Sequence, residues 1–64
     1  MCLSTVYVLK DNNEKELLCK NIASVTTDKE DIVLTNLMGI PTRIKGTIST
    51  INLTDNYIYV RTGE

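Results

Sequence analysis

The 64-residue chain contains no histidine, tryptophan or phenylalanine, and has one proline, three glycines and two cysteines. Without histidine there is no imidazole to act as a base near neutral pH, which excludes Ser/His/Asp and Cys/His catalysis and any imidazole metal cluster. The glycines at 39, 46 and 63 form no phosphate-cradling loop and no dinucleotide fingerprint. No apolar run approaches the ~20 residues of a membrane span, and the first residues lack the basic and apolar regions of a signal peptide. The expectation is a cytoplasmic protein without a membrane segment. There, Cys2 and Cys19 stay reduced, and neither their number nor their spacing indicates a disulfide framework. Charge of one sign is also missing. Seven basic and eight acidic residues are scattered without a block, for a net charge of −1. Nucleic-acid binding ordinarily needs a basic face that neutralises several phosphates, so this balance argues against it.

What the chain does have is β-branched and aliphatic residues. Hydrophobic residues make up 42% against 23% charged, a globular composition over a length of one domain, residues 1–64. A core of Ile, Val and Leu in so short a chain is marginal by itself, because only ~60% of the unfolded surface can be buried at this size. A partner subunit is the simplest completion, and a homodimer is expected.

Strand signals run nearly throughout. Residues 4–9 alternate, with Val6 and Val8 on one face and Tyr7 and Leu9 on the other. The polar cluster 10–14 reverses the chain into a second strand at 15–19, and a third is expected at 21–26. Asp28, Lys29 and Glu30 form a charged turn before 31–37, where Ile32, Val33 and Leu34 mark the most buried strand. Gly39 and Pro41 signal a bend or crossover. The long segment 42–53 follows, with Gly46 as a bulge or break and with the odd spacing of Ile48, Ile51 and Leu53 implying a kink. Residues 54–56 turn the chain into a last strand at 57–61. No helical stripe runs between capping signals. The fold class is all-β, a small antiparallel barrel or two-sheet sandwich of about six short strands.

Among the chemistry-bearing residues, Asp28, Glu30 and Asp31 read as a solvated turn, and Arg43 and Lys45 as solvated strand charges. Tyr57 and Tyr59 share a sheet face, where packing at an edge or a dimer interface outweighs base stacking. Cys19 closes an apolar run and reads as a small core hydrophobe. Cys2 stands apart because of its position. If the initiator Met is removed, which requires a small second residue, the α-amine and thiolate of Cys2 lie on adjacent carbons and close a five-membered chelate around one metal ion. Two such termini meeting at a two-fold axis supply N₂S₂, a donor set suited to Ni(II) or Cu(II) when planar and to Zn(II) when tetrahedral. The alternative is a partly buried cysteine leading into the first strand.

The start Met1-Cys2-Leu3 running straight into a strand, the Asp/Asn turn at 11–13, and the late segment from Arg43 through Gly46 to Ile51-Asn52-Leu53 together resemble the CooT family of small nickel-binding proteins. Asn52 stands where that family commonly has Asp. The resemblance implies a mostly β homodimer that binds one Ni(II) per dimer through Cys2. It also implies a part in maturing a nickel enzyme, with carbon monoxide dehydrogenase as the client, as metallochaperone or nickel sensor rather than as an enzyme. HypC-type hydrogenase maturation chaperones also begin Met-Cys-Leu and bind partner proteins through that cysteine, but they continue with an Ala-Ile-Pro-Gly run where this chain has Ser4-Thr5-Val6-Tyr7. A third reading, a small RNA-binding barrel, would place its phosphate contacts at Arg43, Lys45 and Arg61.

Overall fold

The computed structural model describes residues 3–62. Five strands account for most of them: β1 (Ser4–Leu9), β2 (Lys15–Asp28), β3 (Asp31–Asn36), β4 (Pro41–Asn52) and β5 (Tyr57–Thr62). They pair in chain order, β1-β2-β3-β4-β5, and the sheet closes into a barrel when β1 pairs with β5. The four sequential pairings are antiparallel hairpins. The closing pair is parallel, with Val6 opposite Ile58 and Val8 opposite Val60.

Of the two expected architectures, antiparallel barrel or two-sheet sandwich, the barrel is realised. It departs from expectation in its parallel closing pair and in having five strands rather than about six. The discrepancy lies in β2, where the expected strands at 15–19 and 21–26 are one strand bent in the middle. Asn21 carries the bend with φ of 58°, a left-handed conformation that Asn tolerates better than most side chains. Register slips at the same place, since β1 pairs Ser4 with Ile22 but Val6 with Cys19. The β3 pairing also shifts between Ile22 and Ser24. The bend lets the first half of β2 face β1 and the second half face β3, so one strand turns a corner of the barrel. The bend or crossover expected near Pro41 is a hairpin turn. Pro41, which has no N–H to donate, begins β4 where its ring is tolerated.

The turns follow from their polar residues. Lys10 N donates to Glu14 O (2.8 Å) and Asn13 N to Lys10 O (2.9 Å), with Asn13 at φ 66°. Asp28 pairs with Asp31 across the two-residue turn Lys29-Glu30, and Lys29 is left-handed at φ 60°. At the β3–β4 turn, Asn36 Oδ1 accepts from Met38 N (2.9 Å) and Ile40 N (3.0 Å).

The interior is aliphatic throughout. Val6, Ile22, Ile32, Leu34, Ile58 and Val60 are buried, with Val8, Cys19, Val25, Ile44 and Ile48 packed against them. β1, β3, β4 and β5 contribute at positions of one parity, as half-buried strands do, whereas in bent β2 the inward residues Cys19, Ile22 and Val25 stand three apart. β4 crosses closest to β5 at Gly46, where a Cβ would collide with the carbonyl oxygen of Arg61.

Candidate functional site

Cys2, the expected metal ligand, lies outside the described residues. The described part of the chain that follows it in sequence begins β1 at Ser4. Ser4 sits on the rim of an open cleft of ≈400 Å³ whose walls include Ile22 and Val25 from β2, Ile51 from β4, Leu53 from the following turn and Ile58 from β5. Ala23, Ser24 and Asn56 complete the lining, and none of these side chains is ionisable. The cleft is therefore largely apolar and uncharged, with Ser4 at its edge.

The cleft is the unfilled mouth of the barrel. A register shift between Ile48 and Thr50 marks the kink foreseen from the odd isoleucine spacing, and it puts Ile51 opposite the core residue Ile58. Ile51 thus belongs to the inward row but lies at the mouth, where it remains 51% exposed; Leu53, just past the strand end, is 79% exposed. Asn52 fixes this corner. Its Oδ1 accepts from Asp55 N (2.8 Å) and its Nδ2 donates to Tyr57 Oη (3.2 Å). An aspartate could accept the first bond equally well, so the Asn at this position preserves the turn. The sequence did contain a signal for the cleft, namely two large aliphatic residues two apart at the end of a strand whose alternation had just slipped. What it did not reveal is that β2 bends across to form the opposite wall.

Cys19 is half-buried against the core. Burial pushes its thiol up from the ordinary value, since the low-dielectric surroundings disfavour the thiolate. Both the packing and the direction of the shift agree with a structural cysteine. Among the described residues, no three His, Cys, Asp or Glu side chains gather into a metal-binding group.

The acidic turn is tied down as an ion-pair cluster. Arg43 Nη1 contacts Asp31 Oδ2 at 2.7 Å and Asp28 Oδ2 at 3.6 Å, and the hydrogen bond to Asp31 holds the guanidinium above its ordinary value. Lys45 lies opposite the same Asp31 across the β3–β4 ladder. With Arg43 engaged by two carboxylates, the basic strip that an RNA-binding barrel would require does not form there. The three tyrosines cluster with one another. Tyr57 stacks on Tyr59 (4.6 Å between centroids, 28°), Tyr7 meets Tyr59 edge-on (5.9 Å, 73°), and Lys15 Nζ lies 5.3 Å from the Tyr59 centroid. Ring faces occupied in this way serve packing between β1 and β5.

A small closed β-barrel with an uncharged cleft beside the start of its first strand is thus the class of protein defined by the fold and its site. The family model for the CO dehydrogenase accessory protein CooT matches residues 1–61, and the chain belongs to this family. No curated protein sequence matches it. The crystal structure of a candidate CooT from Carboxydothermus hydrogenoformans superimposes with a TM-score of 0.86 at 21% identity, covering 98% of this chain and 100% of that one. At that identity the likeness establishes the fold. Among the described residues, no helix is long and apolar enough to cross a membrane.

Proposed function

We propose that this protein binds a single Ni(II) through Cys2 from each of two copies and serves, as metallochaperone or nickel sensor, the maturation of carbon monoxide dehydrogenase. The observation that carries the reading is the match to a CO dehydrogenase accessory family over 1–61, a span that includes the cysteine just ahead of β1. Accessory proteins act on an enzyme rather than as one, and the lack of histidine fits a binding role. The ion is cargo here. The α-amine and thiolate of Cys2 are the donors, two residues ahead of the first β1 pairing position, Ser4. One chain offers one nitrogen and one sulfur, so a four-donor site requires a second chain.

The test is an ultraviolet-visible nickel titration of tag-free protein from which Met1 has been removed. A thiolate-to-nickel charge-transfer band should saturate at about half an equivalent per chain, vanish in Cys2→Ser and persist in Cys19→Ser. Leaving a residue ahead of Cys2 replaces the amine by an amide and should weaken binding. Undiminished nickel binding in Cys2→Ser would overturn the proposal.

A further inference from the structure

We infer that the outer face of β2, β1 and β5 is a docking surface for an acidic segment of a partner protein, which sets its apolar side chains on the row Leu17, Tyr7 and Tyr59 and its carboxylates on Lys15 and Arg61. This surface is independent of the nickel reading.

Register builds the row. Leu17 pairs with Tyr7 across β1–β2 and Tyr7 with Tyr59 across β1–β5, so the three side chains lie abreast on the side of the sheet turned away from the core. Two residues further along the strands, Lys15 pairs with Leu9, and Arg61 follows Tyr59 at the next outward position of β5. All three aromatic residues of the chain stand on this outer face, and none belongs to the core cluster. A solvated sheet face ordinarily carries polar side chains. Here the tyrosines are half-buried, and Leu17 beside them is 51% exposed. Tyrosine joins a large apolar ring to a polar tip and is enriched where proteins meet.

Charge selects the occupant. Lys15 and Arg61 are exposed, and among the described residues neither forms an ion pair, whereas Lys10 is bonded to Glu16 and Arg43 to Asp31. Lys15 is drawn over the Tyr59 ring, with Nζ 5.3 Å from its centroid, and this attraction keeps the cation on the face. Glu16, between Lys15 and Leu17, belongs to the other side of the strand, and with Asp11 it lines the charged cleft at the strand ends that Arg61 also borders. The face therefore offers apolar area and positive charge together. A second copy docked here about a two-fold axis would set these cations against their own counterparts. A nucleic-acid base would find the Tyr59 ring already shared among Tyr57, Tyr7 and Lys15, with little face left for stacking. An acidic segment bearing apolar side chains complements both properties.

The experiment follows the backbone amide signals of isotopically labelled protein by nuclear magnetic resonance as the peptide Ser-Glu-Leu-Glu-Ser-Leu-Glu-Ser is added. It is repeated with Gln in place of each Glu, with a short oligothymidylate, and with no ligand at rising protein concentration. Shifts are expected to gather at Tyr7, Lys15, Leu17, Tyr59 and Arg61, to disappear with the Gln peptide, and to weaken as salt is raised, because exposed ion pairs are screened. Lys15→Gln combined with Arg61→Gln should weaken binding about tenfold, and Leu17→Ser should weaken it too. Lys29→Asn combined with Lys45→Gln, which removes the same charge from the β2–β3 turn and β4, should leave it nearly unchanged. All five altered side chains are exposed, and the amide spectrum itself verifies the fold. No shifts with the Glu peptide, equal shifts with the Gln peptide, or equal weakening by the two double variants would each overturn the inference. Tighter binding of the oligothymidylate at the same residues would overturn it in favour of nucleic acid, and movement of these amides with protein concentration alone would overturn it in favour of contact between copies. None of these outcomes bears on the nickel titration.

Discussion

At Gly46 the backbone of β4 runs so close to Arg61 that a single added methyl group has nowhere to go. The obstacle is a carbonyl oxygen in a hydrogen-bonded strand, which cannot swing aside like the end of a flexible side chain. Gly46→Ala is expected to destabilise the fold by about 2–4 kcal/mol, read as a lower urea midpoint, whereas Gly39→Ala, at φ 85° but in open space, should cost about 1 kcal/mol. Equal losses at the two positions would show that conformation rather than close approach governs Gly46. This residue was legible in the sequence as a bulge or break inside a long β run, although its partner was not. Asn21 is the opposite case. It opens the third strand expected at 21–26, yet it holds a left-handed kink inside a strand that continues. Local chemistry identifies residues able to leave β geometry, but whether the chain pairs again beyond them depends on neighbours distant in sequence.

Among the strands, β1 and β3 stood out from alternation and β-branching with boundaries correct to about one residue, and β5 runs one residue past its expected end. What alternation could not supply is the direction of pairing between β1 and β5. Inward residues recur every second position whether a neighbour runs parallel or antiparallel, so the parallel closure was invisible. The tyrosines seal that closure. Tyr59 contacts both Tyr7 across the β1–β5 seam and Tyr57 along its own strand. Tyr59→Ala should lower stability by about 2 kcal/mol, since it deletes two ring pairs worth about 0.5–1.5 kcal/mol each. Tyr59→Phe should fall within about 0.5 kcal/mol of wild type, because the rings remain. A phenylalanine variant as unstable as the alanine variant, by chemical denaturation, would mean that the hydroxyl rather than the ring sustains the seam.

Over the whole barrel, the six side chains buried among the described residues are all aliphatic, in keeping with the lack of large aromatics. A barrel this small has little reserve. For a chain of this length, total stability is of order 3–10 kcal/mol, while truncating a buried leucine removes about 2–5 kcal/mol. Leu34, fully buried on β3, is the severest case. Leu34→Ala is expected to lose most or all of its cooperative urea transition, followed by circular dichroism. A variant with a near-native transition would show that contacts outside this interior, such as those with a second copy, supply most of the stability. The sequence conveyed how little interior there would be. It could not show that the barrel leaves one end uncovered, because that mouth is made by residues from four strands and a turn spread from Ser4 to Ile58.

Because β5 lies beside β1 and runs the same way, the chain sets out from one rim and finishes its last strand heading for the opposite one. A fluorophore attached at Thr62, the last residue of β5, therefore sits at the opposite rim from Ser4, where β1 begins. Instrumented in that way, the protein can be captured, immobilised or tracked while the proposed part of Cys2 is tested with that residue in its natural chemical form.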